Sequence, residues 1–187
     1  MPRKPQYRRS ELLSTLSQAF RLDGFDGVSL NSLSAQTGLS KASLYHHFPN
    51  GKLDMALSVL ADEGRLFQKA VLAPLQRPGG GGASVRHMFD GVRAYYRGDV
   101  PVCMMNLFIH SSIASVVGPQ IQATVKRWEE LLAERLYDIG IAEEKSRRLA
   151  TVTVCDIQGA LILSRVFGQR EPLEQAIKTS LERLSLG

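Results

Sequence analysis

An all-α protein of about nine helices is what this 187-residue chain predicts, and three observations carry that expectation. Apolar side chains recur at three- and four-residue spacing along most of the chain, the period of a helix with one buried face. Glycine and proline fall between these stretches as stops. Strand-like alternation occurs only at residues 151–155, inside a longer helical pattern. Apolar residues make up 44% and charged residues 22%, an ordinary balance for a chain that builds its own core.

The elements follow in order. Residues 10–22 place Leu12, Leu13, Leu16, Ala19 and Phe20 on one face and stop at Asp23-Gly24. Ser29 is a good N-cap for a short helix carrying Leu30, Leu33 and Ala35. Gly38 can take the left-handed conformation that ends a helix sharply. Ser40 then caps a second short helix bearing Leu44, Tyr45 and Phe48, closed by Pro49-Asn50-Gly51. Two short helices joined by a tight glycine turn make a helix-turn-helix unit, with Leu33, Ala35, Leu39, Leu44 and Phe48 as its expected small core.

Residues 52–75 are again helical, and Pro78 with Gly79 to Gly82 breaks the pattern. Residues 77–84 are therefore expected as a flexible connection. A phosphate-cradling loop there would need a lysine and a Ser/Thr at set spacing, which are missing. Helices are expected over 85–97, 102–115, 120–137 and 143–167, with stops at Gly98, Pro101, Gly118-Pro119, Gly140 and Gly168. Pro172 starts a last helix to about residue 184.

Composition narrows the function. The formal net charge is +5. Residues 1–53 hold seven Lys/Arg against three acids, while the remainder holds 16 against 15. Nearly all the excess positive charge thus lies in the first quarter, as in a nucleic-acid-contacting module or a solvated basic terminus. Cys103 and Cys155 lack metal-ligand spacing and exclude a disulfide framework, which fits a reducing cytoplasm. No run reaches the roughly 18 uninterrupted apolar residues of a membrane span, and no signal-peptide pattern follows the basic start. No Ser/His/Asp, Cys/His or paired-carboxylate arrangement suggests an enzyme, and no cofactor or metal is expected. His46 and His47 are sequence neighbours, which point different ways on a helix and do not make a metal site.

The run from Leu33 to Phe48, reading LSAQTGLSKASLYHHF, is the most specific feature. Small Ala42 and Ser43 let a helix N-terminus approach base edges in a major groove, while Lys41, Tyr45, His46 and His47 supply donors on the outer face. In wording and position this run resembles the DNA-binding head of the TetR family of bacterial transcriptional repressors, over about residues 8–60. The chain length and all-helical remainder fit the same family. The resemblance implies that Lys41, Ala42 and Ser43 sit over bases, and Ser40 at the N-cap is counted with them as a DNA-binding residue. It places Tyr45, His46 and Lys52 on the phosphate backbone, has Ser29 cap the second helix close to a phosphate, and lets His47 touch DNA or brace the head. One departure stands out: Pro49, Asn50 and Gly51 put three residues between Phe48 and Lys52, where many members have two. This form resembles a subgroup with Phe-Pro-Gly-Gly-Lys, associated with drug or flavonoid responses.

The resemblance divides the chain into a DNA-binding domain, residues 1–52, and an effector-binding and dimerisation domain, residues 53–187. Two apolar stripes suit a helix-pair interface in a homodimer: Val152, Gly159, Ala160, Leu163 and Phe167, then Leu173, Ile177, Leu181 and Leu184. Ordinary burial within one subunit is the competing explanation. Phe67, Met88, Phe89, Tyr95, Cys103, Met104, Phe108, His110, Trp128 and Asp156 are candidates for a small-molecule site, taken together in a family that uses this region for effectors. The set suits an apolar or aromatic ligand. The expectation is a cytoplasmic repressor that binds a pseudo-palindromic operator as a dimer and is released by a small molecule. The alternatives are a regulator without an effector, or one that senses oxidants or electrophiles through Cys103.

Overall fold

The computed structural model describes residues 8–77 and 79–186; Arg3, Lys4 and Pro78 lie outside them. Nine helices and no strands make up the described residues, so the expected class and number hold while several boundaries move. The chain divides into two compact units that do not meet at residue 52. One holds the residues up to Glu63 together with Met104–Pro119, and the other holds Gly64–Cys103 and the residues from Gln120 onward.

In the first unit, α1 (Arg9–Gly27) starts with the Glu11 carboxylate accepting the Arg8 backbone N–H at 3.3 Å. It breaks at Gly24, whose φ of 70° only glycine adopts freely, and closes with one further turn. α2 (Leu30–Thr37) is capped reciprocally: Ser29 Oγ accepts the Ser32 N–H, and Ser32 Oγ accepts the Ser29 N–H, both at 3.1 Å. Gly38 ends it at φ 67°, and Ser40 caps α3 (Lys41–His47) by accepting the Ser43 N–H at 3.1 Å. Each such cap contributes about 1 kcal/mol. Leu33, Leu44 and Phe48 fill the small core as expected. Ala35 is exposed and Leu39 half-buried instead. Thr37 takes the vacant inward position, its hydroxyl donating to the Leu33 carbonyl at 2.6 Å.

α4 begins as Lys52–Phe67 and continues through a π-helical turn (Gln68–Leu72) and a last turn (Ala73–Leu75). At its unit-one end, buried Glu63 accepts the Ser17 hydroxyl at 2.7 Å and pairs with Arg21 at 2.8 Å, locking α1 to α4. α6 (Met104–Ile109) brings Phe108 edge-on against Phe20 and Phe25, with ring centroids 5.4 and 6.4 Å away.

In the second unit, α5 (Gly81–Tyr95) begins inside the glycine run expected to be a flexible connection. The apolar face Val85, Met88, Phe89 and Val92 is fully buried, and this packing recruits the preceding glycines into the first turn. A close crossing with the π-helical turn depends on Gly91: a Cβ there would stand 1.8 Å from the Ala70 carbonyl oxygen. α7 (Ala114–Asp138) starts earlier than expected and runs through Gly118-Pro119. Pro119 removes one intrahelical hydrogen bond but does not stop the helix.

α8 (Glu143–Phe167) ends at left-handed Gly168 and turns into α9 (Glu171–Arg183), which carries Pro172 in its first turn. By length and composition α8 is apolar enough to cross a membrane. Here it packs on α9 instead, burying Val154, Ile157, Ala160 and Leu161 with Leu173 and Ile177 of the second helix. Arg170 ties the start of α9 to the end of α5. Its guanidinium donates to the backbone carbonyls of Tyr96, Gly98 and Arg93 and to the Glu174 carboxylate at 2.7 Å.

Candidate nucleic-acid interface

The first unit presents α3 as a rod with one buried and one open side. Leu44 and the following Phe48 point inward, while Lys41, Ala42, Tyr45, His46 and His47 are exposed and Ser43 is half-buried. Capping by Ser40 and the Phe48 N–H bonded to the Leu44 carbonyl fix both ends of this short helix without using its outer side chains. The outer face therefore carries one ammonium, two imidazoles, a phenol and a flat patch at Ala42. A duplex offers such a face phosphates and base edges.

The three-residue connection after Phe48 has a physical reason. Gly51 sits at φ 65°, and a Cβ there would come to 3.2 Å from Tyr45 Cε1, so the Tyr45 ring lies against bare backbone. Asn50 donates its backbone N–H and its amide to Asp54, at 2.7 and 3.1 Å, closing the loop onto the first turn of α4. Tyr45 is thereby aimed by the loop while remaining 46% exposed.

Lys52 has different company from what the resemblance implied. Its Nζ donates to the backbone carbonyls of Phe25 and Val28 at 2.8 and 2.9 Å, and it lies 4.4 Å from the Phe25 ring centroid. Ser29 is exposed, and its hydroxyl is engaged in capping α2.

The residues expected to hold a small molecule fall in both units. Phe67, Met88, Phe89, Cys103 and Trp128 are buried in the second unit, with Tyr95 half-buried beside them. Phe67 meets Trp128 and Tyr95 edge-on at 5.2 and 5.3 Å, and Tyr95 meets Tyr96 at 4.7 Å. The Tyr96 hydroxyl donates to Cys103 Sγ at 3.5 Å, and burial pushes its pKa well above the usual phenol value. Met104 and Phe108 belong to the first unit, where Phe108 completes the aromatic core of the head. His110 is exposed, and Asp156 is paired with Arg183 at 2.6 Å. Among the described residues, the buried polar atoms without a hydrogen-bond partner include Trp128 Nε1, Thr153 Oγ1, Ser164 Oγ and Ser180 Oγ.

The two stripes expected at a helix-pair interface also separate. Leu173, Ile177, Leu184 and Ala160 are buried within the subunit, and Leu181 and Val152 are half-buried. Gly159 is exposed with open space beside its Cα, and Leu163 and Phe167 are 48% and 61% exposed. Ile162 and Val166, which sequence inspection passed over, join them at 51% and 69%. The C-terminal half of α8 thus carries an open apolar face that α9 does not cover. Sequence inspection also missed Asp26, Glu63, Ser112 and Arg170, whose partners are too distant in the chain for any local pattern to show.

Comparisons with known proteins agree with this architecture. Residues 12–59 match the family described as bacterial regulatory proteins, tetR family, and residues 89–179 match the transcriptional regulator LmrA/YxaF-like C-terminal domain. The uncharacterized HTH-type transcriptional regulator YxaF of Bacillus subtilis is 24% identical over 169 residues, covering 88% of each chain. A TetR transcriptional regulator from Legionella pneumophila superposes with a TM-score of 0.79 at 20% identity, covering 96% of this chain and 98% of that one. The TetR-family regulator CifR, in a cysteine mutant complexed with 26-bp operator DNA, gives 0.73 at 21% identity over 96% and 98%. The helix-turn-helix head, the all-α body and these two matched segments together place the chain in the TetR family of bacterial transcriptional regulators.

Proposed function

We propose that the protein is a cytoplasmic, ligand-responsive repressor that binds a pseudo-palindromic operator as a homodimer. The observation that carries this reading is the outer face of α3, where Lys41, Ala42, Tyr45, His46 and His47 stand clear of the head's own packing. CifR, whose fold this chain resembles, is complexed with 26-bp double-strand operator DNA. DNA reading falls to residues 1–52, with Met104–Pro119 packed into the same unit, and the rest of residues 53–187 takes effector binding and pairing.

The open face of α8 supports the dimer. Ile162, Leu163, Val166 and Phe167 expose large apolar surface on successive turns, and Gly159 allows a second helix to approach closely. A two-fold pair would set two recognition helices about 34 Å apart, one turn of duplex. Replacing Leu163 and Phe167 together by glutamate is expected to convert the dimer to a folded monomer. Sedimentation velocity checks this, with circular dichroism as the fold control.

The interior cluster of Phe67, Tyr95, Tyr96 and Trp128 supports an apolar or aromatic effector. An acceptor oxygen on such a ligand would satisfy the donor that Trp128 leaves unpaired. A ligand that favours a conformation with the wrong head spacing weakens DNA binding, and a coupling of about 1–3 kcal/mol suffices for a 5–150-fold change. Burial of Cys103 against Tyr96 supports a packing role for that thiol over a sensing one. The test is binding of the purified protein to its own promoter region against a scrambled duplex, over a range of salt. Preference for the promoter, followed by release on ligand screening, establishes the reading. Equal, weak binding to both duplexes overturns it.

A further inference from the structure

The corner between α1 and α2 takes in the last turn of α1 and the cap of α2, residues 24–29. It is held from two sides by residues remote in sequence. From α4, the Lys52 ammonium donates to the Phe25 and Val28 carbonyls at 2.8 and 2.9 Å and rests over the Phe25 ring. From the segment between α6 and α7, Ser112 donates its backbone N–H to the Asp26 carboxylate at 3.0 Å and its hydroxyl to the other oxygen. Those two donors hold the Asp26 carboxyl below its usual range, so it is a carboxylate at neutral pH. Phe25 itself is buried against Phe20 and Phe108.

An ammonium has three donors. Two of those on Lys52 are spent on carbonyls that α1 leaves without helical partners, and the cation sits at the C-terminal end of that helix, where positive charge is favoured. We infer that Lys52, Asp26 and Ser112 act as positioning residues that fix the α1–α2 corner, and with it the capped start of α2, and that Lys52 is not a phosphate contact. The segment Met104–Pro119 is on this account a working part of the DNA-reading unit. Any displacement of Ser112 moves the corner on which Ser29 caps α2.

The inference rests on the DNA-binding reading, and its test separates the two. Lys52→Met keeps an apolar stem over Phe25 and removes the ammonium. The expected result is operator affinity lower by about 10-fold, the equivalent of one or two charge-assisted hydrogen bonds, with an unchanged salt dependence. A phosphate contact predicts instead a salt slope shallower by about 0.9. That outcome would overturn the assignment.

Asp26→Asn gives a second, sharper sign. Removing a negative charge beside a polyanion should tighten binding on electrostatics alone, whereas loosening the corner weakens it. Weaker operator binding supports the inference; tighter or unchanged binding sinks it. Ser112→Ala alters no charge and is expected to weaken operator binding in the same direction by a smaller factor. Hydrogen exchange on the free protein provides a readout without DNA. Amides at the start of α2 should lose protection in Lys52→Met and Ser112→Ala, while α9 amides keep theirs. Unchanged protection in α2 overturns the inference even if the wild-type protein binds no operator, a result that would count against the DNA-binding reading separately.

Discussion

The two units hold themselves together by different means. In the helix-turn-helix unit the ends of α2 and α3 are capped by neighbours in sequence: Ser29 with Ser32, Ser40 with Ser43, Gly38 between them, and Asn50 with Asp54. Remote partners enter there at the α1–α2 corner and at Glu63. In the other unit the decisive contacts span tens of residues, as when Arg170 binds the end of α5 or Gly91 admits Ala70. Local caps free the outer face of α3 from packing duties. Long-range knots let the remaining helices diverge in sequence so long as volume and a few polar partners are kept.

That contrast can be broken at its strongest point first. Ala42→Glu puts a carboxylate on the outer face of α3 and touches no core, so operator binding should fall by about 100-fold or more while melting temperature is unchanged. Retained binding, measured by fluorescence anisotropy, would show that α3 is not the reading helix. Gly91→Ala does the reverse. Its Cβ collides with the Ala70 carbonyl, and a loss of about 3 kcal/mol in urea unfolding is expected, with the head's outer face unaltered. A neutral result would mean that α4 and α5 slide apart at little cost.

Smaller effects sharpen the comparison. Ser40→Ala removes one cap and should cost about 1 kcal/mol of stability, concentrated in α3 by hydrogen exchange. The smallest effect is on the acid side. Burial raises the Glu174 pKa, but hydrogen bonds from Arg93 and Arg170 outweigh it and leave the carboxyl below its ordinary value. A group depressed in this way stabilises the fold above its unfolded pKa, about 4.3. The contribution fades as pH falls through the lower folded value. Glu174→Gln should lower stability slightly at neutral pH, and the gap to the wild type should close as pH falls through that range. An unchanged curve would show the pair to be energetically idle.

What could be read in advance follows the same division. Ser29, Gly38, Ser40 and the apolar Leu33, Leu44 and Phe48 announce themselves because caps and turns are local chemistry. The glycine run misled because backbone propensity favours a loop, and burial of Val85, Met88 and Phe89 overrode it by a margin no short window contains. Pro119 misled for a similar reason: a helix anchored by tertiary packing tolerates one missing hydrogen bond. The α8 stripe was legible as apolar, but which half of it faces inward depends on where α9 lies. Thus Leu173 and Ile177 fill the subunit's own core while Leu163 and Phe167 remain open. For Lys52, which the resemblance implies is a phosphate contact, nothing in its neighbourhood of the chain names the Phe25 and Val28 carbonyls as partners.

The freedom of the α3 outer face has a consequence for how such a protein changes over generations. Lys41 and Ala42 are exposed, and the Ser43 N–H donates to the Ser40 cap while its hydroxyl adds only one further bond there, at 3.0 Å. Mutations at these positions can be sampled at little thermodynamic penalty, so a duplicated copy can drift to a new recognition sequence before the rest of the chain alters. The same three positions form a compact cassette for engineers: a library randomised there samples many duplex preferences on one unchanging scaffold.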